Sequence, residues 1–117
     1  MPDVPKWLLG AWEVDARALP PERRGVLVGG RLHVHLDAFE LFGFPETILA
    51  RRWPLDACVV RGEAVQLLSD LGWEDVCVDV RRGEGRLTMT VRGVDVMPWQ
   101  VDDVPMRRGS KSADANA

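Results

Sequence analysis

Apolar positions recur along this chain with period two. The run Arg31-Leu32-His33-Val34-His35-Leu36-Asp37-Ala38 alternates polar and apolar without a slip. That is the pattern of a strand with one buried face. Residues 74–80 alternate likewise, with Val76, Val78 and Val80 on one face. Residues 86–92 do the same with Leu87, Met89 and Val91. Weaker alternation predicts strands at 11–16, 39–42, 47–53, 57–60, 64–68 and 94–103, with Pro98 bending or ending the last. Turn residues punctuate the runs at Gly29-Gly30, Gly43-Phe44-Pro45, Arg61-Gly62, Gly83-Glu84-Gly85 and Arg92-Gly93. Residues 15–24 contain Leu19-Pro20-Pro21 and read as a loop; residues 68–73 read as a turn. The expected fold is all-β, a small antiparallel up-and-down barrel of about eight short strands.

Two hairpins can be registered residue by residue. A type II′ turn with Gly83-Glu84 at its centre sets Val80 against Leu87, Val78 against Met89 and Val76 against Val91. It also sets Arg81 against Arg86, a mildly repulsive pair. A tight turn at Arg61-Gly62 pairs Val60 with Glu63 and Cys58 with Val65, which puts Cys58 on the inner face.

Composition narrows the functional classes. The 117 residues make one domain, with the barrel expected over 1–106 and a disordered tail over 107–117. A formal charge of −3 excludes the strongly basic surface of a dedicated nucleic-acid binder. No apolar run is long enough for a membrane span. The apolar stretch at residues 7–12 is too short for a secretory signal core, so a cytoplasmic location is expected. Cys58 and Cys77 fit that compartment as free thiols. On the hairpin faces Cys58 points inward and Cys77 outward between Asp75 and Asp79, so they do not form a disulfide. The neighbouring carboxylates should raise the Cys77 thiol.

The first strand begins Trp7-Leu8-Leu9-Gly10-Ala11-Trp12. This Leu-x-Gly-x-Trp start resembles that of lipocalin-like (calycin) barrels. The chain is shorter than a full lipocalin and is similar to the short lipocalin-like domains of bacteria. In that family the Trp closes one barrel end and an Arg from the last strand lies across it. The resemblance implies that Arg107 or Arg108 stacks on Trp12 by cation–π and dispersion contact. It also implies a non-catalytic binding domain for a small apolar or amphipathic ligand. Trp12, Phe39, Phe42, Trp53 and Trp99 are the expected ligand contacts.

Candidate chemistry is sparse. His33, His35 and Asp37 at i, i+2 and i+4 would share one face of a strand, a weak metal-ligating row. Alternate residues there stand roughly 6.5–7 Å apart, so neighbouring strands would have to complete a site. Asp102 and Asp103 could pair as acid and base, but neighbours on a regular strand point opposite ways, so an exposed acidic pair near the C-terminal edge is expected instead. No Gly-x-Ser-x-Gly, Gly-x-Gly-x-x-Gly or Walker loop occurs, and no cofactor is expected. The apolar cluster from Phe39 to Trp53 reads as core, as a pocket mouth or as a partner surface. The last gives an alternative function: a structural or interaction domain, for instance a homodimer, with no cavity. Trp7, Trp12, Trp53, Trp73 and Trp99 all stand near strand ends, where amphipathic rings close a small barrel.

Overall fold

The alternating segments form nine antiparallel strands of a single sheet in a computed structural model of the chain. The structure describes residues 3–27, 29–44, 52–70, 75–83, 86–93 and 99–109. The strands are β1 (Gly10–Val14), β2 (Arg31–Val34), β3 (Ala38–Phe42), β4 (Arg52–Pro54), β5 (Ala57–Arg61), β6 (Ala64–Asp70), β7 (Asp75–Gly83), β8 (Arg86–Gly93) and β9 (Trp99–Arg108). Their order is β4-β3-β2-β1-β9-β8-β7-β6-β5. The two edge strands, β4 and β5, are therefore consecutive in the chain, with only Leu55 and Asp56 between them. Leu55 N donates to the Asp37 carbonyl on one side and Asp56 N to the Leu68 carbonyl on the other, both at 2.9 Å. Two residues can join the edges of a nine-stranded sheet only if the sheet curls strongly. The result is a half-barrel, one open curled sheet.

Several expectations are corrected. Nine strands stand where about eight were expected, and the unbroken alternation at 31–38 spans a hairpin: β2 ends at Val34 and β3 begins at Ala38. His35 N donates to the Ala38 carbonyl (2.8 Å) and Val34 pairs with Phe39, so Leu36-Asp37 makes the turn. Leu36, in phase with the buried Leu32 and Val34, is instead 57% exposed. Alternation persists through a two-residue turn, so periodicity alone does not reveal the break. The segment read as a loop at 15–24 holds a 3-10 turn, Ala16–Ala18, and helix α1 (Pro21–Leu27). Pro21 occupies the first helical position, where its missing N–H costs nothing. Arg24 then donates from Nε to the Ala16 carbonyl (3.0 Å) and from Nη2 to the Leu19 carbonyl (3.1 Å), fastening the loop to the helix.

Both hairpins slip by two residues from the expected register. Gly83 pairs with Arg86, Val80 with Met89 and Val78 with Val91. Arg61 pairs with Ala64, Val60 with Val65 and Cys58 with Leu67. A two-residue slip keeps every side chain on its face, so the alternation fits either register. The observed β7–β8 register relieves the Arg81–Arg86 opposition and brings Arg92 opposite Cys77. Strand β9 continues through Arg107 and Arg108, two residues into the segment read as tail. Residues 94–98 of the strand candidate at 94–103, with Pro98, as well as Trp73 and the tail from 110 onward, lie outside the described residues.

The inner face is a continuous core. Trp53, Phe39, Leu8, Leu32, Leu41, Leu67, Leu87, Met89 and Met106 are all fully buried. Each such side chain contributes about 1.5–3 kcal/mol by leaving water. Leu8 and Val4 precede β1, so the N-terminal segment itself plugs the half-barrel.

Candidate binding site

The closed end is built from the first and last strands. In the β1–β9 register Trp12 pairs with Arg108. The Arg108 guanidinium lies 3.9 Å over the Trp12 ring. Its Nη1 donates to the Leu9 carbonyl (2.7 Å) and its Nη2 to the Trp7 carbonyl (2.5 Å). Trp12 Nε1 donates to the Leu8 carbonyl at 2.9 Å. Of the two candidate arginines, Arg108 makes the stack; Arg107 points to the other face and pairs with Glu13 at 2.9 Å. Gly10 is required beside it: its φ is +108°, and a Cβ there would stand 3.2 Å from Arg108 Nη1. A second guanidinium, Arg82, lies 5.0 Å over Trp7.

The expected ligand contacts do not share one surface. Phe39 and Trp53 stack on each other, centroids 5.7 Å apart, in the core. Trp12 is buried under Arg108. Phe42 is on the outer face, edge-on to His33 at 5.2 Å. For Trp99 the backbone strand alone is described. The buried interior does hold polar groups without partners: Trp53 Nε1 and Ser69 Oγ. Trp53 is on β4 and Ser69 on β6, and these two strands contact each other inside the curl.

His33, His35 and Asp37 are not brought together as ligands. His33 is mid-strand and faces Glu40, whereas Asp37 is in the turn. His35 Nε2 meets Glu40 Oε1 at 2.5 Å, and Arg52 Nη1 reaches the same oxygen at 3.3 Å. Asp37 is exposed, 3.9 Å from Arg52. Among the described residues no cluster of three or more metal-ligating side chains occurs.

The feature that sequence reasoning missed lies on the outer face of β5–β9, an open polar groove of about 700 Å³. Cross-strand registers lay its residues out in rows. One row runs Arg61, Ala64, Arg81, Thr88 across β5, β6, β7 and β8. The next runs Val59, Gln66, Asp79, Thr90. At its far side Val101 and Val104 both point inward across a β-bulge, so Asp102 and Asp103 are both exposed outside. The exposed acidic pair expected near the C-terminal edge is thus present, with a bulge setting both residues outside instead of the alternate facing of a regular strand. Asp103 has φ +48°, and its N–H donates to Thr90 Oγ1 at 3.1 Å. Arg23 of α1 donates to the Asp102 carbonyl (2.5 Å), holding the bulge from behind. Gln100 Nε2 donates to the Asp102 carboxylate.

Charge in the groove is unevenly matched. Arg92 Nη2 bonds Asp79 Oδ2 at 2.9 Å and also reaches Cys77 Sγ at 3.4 Å. Cys77 is on the outer face as expected but buried, not a surface thiol. Its pKa is raised, first by burial; the Arg92 hydrogen bond pulls the other way, and Asp79 adds to the rise. The Cys58 thiol is also raised, by burial and then by Asp3. By contrast, Arg61 and Arg81 have no ion-pair or hydrogen-bond partner among the described side chains. No family model matches the chain, and neither a curated protein nor a solved structure shows significant similarity to it.

Proposed function

We propose that this protein is a non-catalytic binding domain of lipocalin-like type, taking a small apolar or amphipathic ligand against the inner face of its half-barrel. The supporting observation is the pair of unsatisfied buried donors, Trp53 Nε1 and Ser69 Oγ, on contacting strands. A buried donor left without an acceptor costs about 1–3 kcal/mol. The polar head of an amphipathic ligand, such as a carbonyl or carboxylate, supplies the acceptor, and its apolar body suits the surrounding side chains. The Trp12–Arg108 closure and the curled sheet agree with the family resemblance. Because the core side chains fill the interior, such a ligand displaces the plug formed by Val4 and Leu8. Intrinsic Trp fluorescence during titration with fatty acids of graded chain length tests this. The expected result is a saturable shift, weakened about tenfold in Trp53→Phe, the size of one lost hydrogen bond. No shift at any chain length removes the reading.

A second reading, a protein-interaction domain, rests on a different observation. The edge strand β5 carries Val60, which is 48% exposed and on the inner face of the sheet's rim. Unpaired strand edges with apolar residues favour addition of another strand. Light scattering at high concentration distinguishes the two: a dimer broken by Val60→Lys supports it, and a strict monomer removes the homodimer form.

A further inference from the structure

We infer that the outer groove is an oxyanion site, and that Arg61 and Arg81 bind a phosphate monoester between them. The site is separate from the inner face invoked above and stands or falls without it. Arg61 and Arg81 each pair with Ala64, from opposite sides. Their Cα atoms are thus two strand spacings apart, about 10 Å. Ala64 projects only a methyl group between them, so the space over β6 is left open. Two guanidiniums flank that space, and Thr88 stands opposite Arg81 in the same row with a hydroxyl.

The neighbouring charges do not neutralise this pair. Asp79, two residues from Arg81, is engaged by Arg92. Asp103 lines the groove from β9, about two strand spacings from Arg81 and four from Arg61. Glu63 pairs with Arg82, whose side chain is on the other face over Trp7. Two like charges are therefore held over one concavity, neither of them bonded to the carboxylates of Asp79 and Asp103 that line it, in a chain whose net charge is −3. Such an arrangement gains from an anion that takes both forks at once. A phosphate monoester fits better than a carboxylate. Two guanidiniums offer ten N–H donors in total, more than a single carboxylate accepts, whereas a phosphate presents three terminal oxygens.

The test is a titration of the ¹⁵N-labelled full chain, followed by amide shifts. Inorganic phosphate, acetate and sodium chloride at matched ionic strength are the three probes. The expected result is saturable movement of Arg61, Ala64, Arg81 and Thr88 amides with phosphate, weaker movement with acetate, and none with chloride. Arg61→Ala and Arg81→Ala should each raise the phosphate Kd by at least about tenfold. Ala64→Glu keeps both arginines and places a carboxylate between them; it should compete and weaken phosphate binding comparably. Saturation on acetate alone would replace the phosphate assignment with a carboxylate one. Linear shifts, equal shifts with chloride, or unchanged affinity in well-folded variants would overturn the site.

Discussion

Arg108 lies over Trp12 and donates to two backbone carbonyls, while Arg61 and Arg81 line a groove without bonding any of the described side chains. The contrast separates architecture from availability. At the closed end the guanidinium is placed by β1–β9 pairing, and its donors serve carbonyls that the N-terminal segment leaves outside the sheet. On the outer face the same side chain is placed just as firmly by β5–β6–β7 pairing, yet none of the described side chains takes its donors. The first arrangement holds the molecule together; the second leaves binding capacity unused.

Breaking the closed end should have the largest effect. Trp12→Ala removes a buried ring, its bond to Leu8 and the surface on which Arg108 lies, at a cost of about 3–5 kcal/mol. The guanidinium chloride midpoint measures it, and a loss below about 1 kcal/mol would show that this end is not built on the ring. Arg108→Ala should cost less, about 1–2 kcal/mol, because the stack and the two donated bonds are solvent-exposed. Arg108→Lys keeps the charge but loses the fork, and should recover little of the stability.

The thiols give an intermediate effect that depends on pH. Both Cys58 and Cys77 have raised pKa values, each mainly through burial. The fold thus favours the neutral thiol. That contribution is complete below the ordinary thiol pKa and is lost as pH rises through the higher folded value. Stability should therefore fall by denaturant titration as pH rises through and above the ordinary thiol range, and the decline should be shallower in the Cys58→Ala, Cys77→Ala double variant. An unchanged slope would assign the decline to other groups. The smallest effect belongs to the outer groove: Arg61→Ala and Arg81→Ala should alter stability by no more than about 0.5 kcal/mol. A larger loss would show that these arginines have a structural role after all, and the contrast with Arg108 would disappear.

Much of the architecture was legible in the chain. The alternation at 74–80 and 86–92 located β7 and β8, and the Gly-x-Trp start located β1 and, through its resemblance to lipocalin-like barrels, narrowed its partner to Arg107 or Arg108. Registers were less legible, because a two-residue slip leaves all faces unchanged. The β2–β3 turn was hidden because Leu36 kept the apolar phase while leaving the core. The bulge at Asp102-Asp103 was invisible because an extra residue leaves no mark on polarity when both residues are acidic.

By itself the sequence determined which residues of β7 and β8 face inward, since a period of two assigns each side chain of a regular strand to one of two faces. That first and last strands meet through Trp12 and Arg107 or Arg108 came from a resemblance of the Gly-x-Trp start, not from the alternation. Only the tertiary structure decided that β4 and β5 become the two edges of one curled sheet although just two residues separate them. It alone placed Arg61 and Arg81, twenty residues apart in the chain, on either side of Ala64. The physical reason is the same in both cases. Facing is a local property of the backbone, whereas the neighbour across a strand is chosen by register and curl, which the packing of the whole core sets.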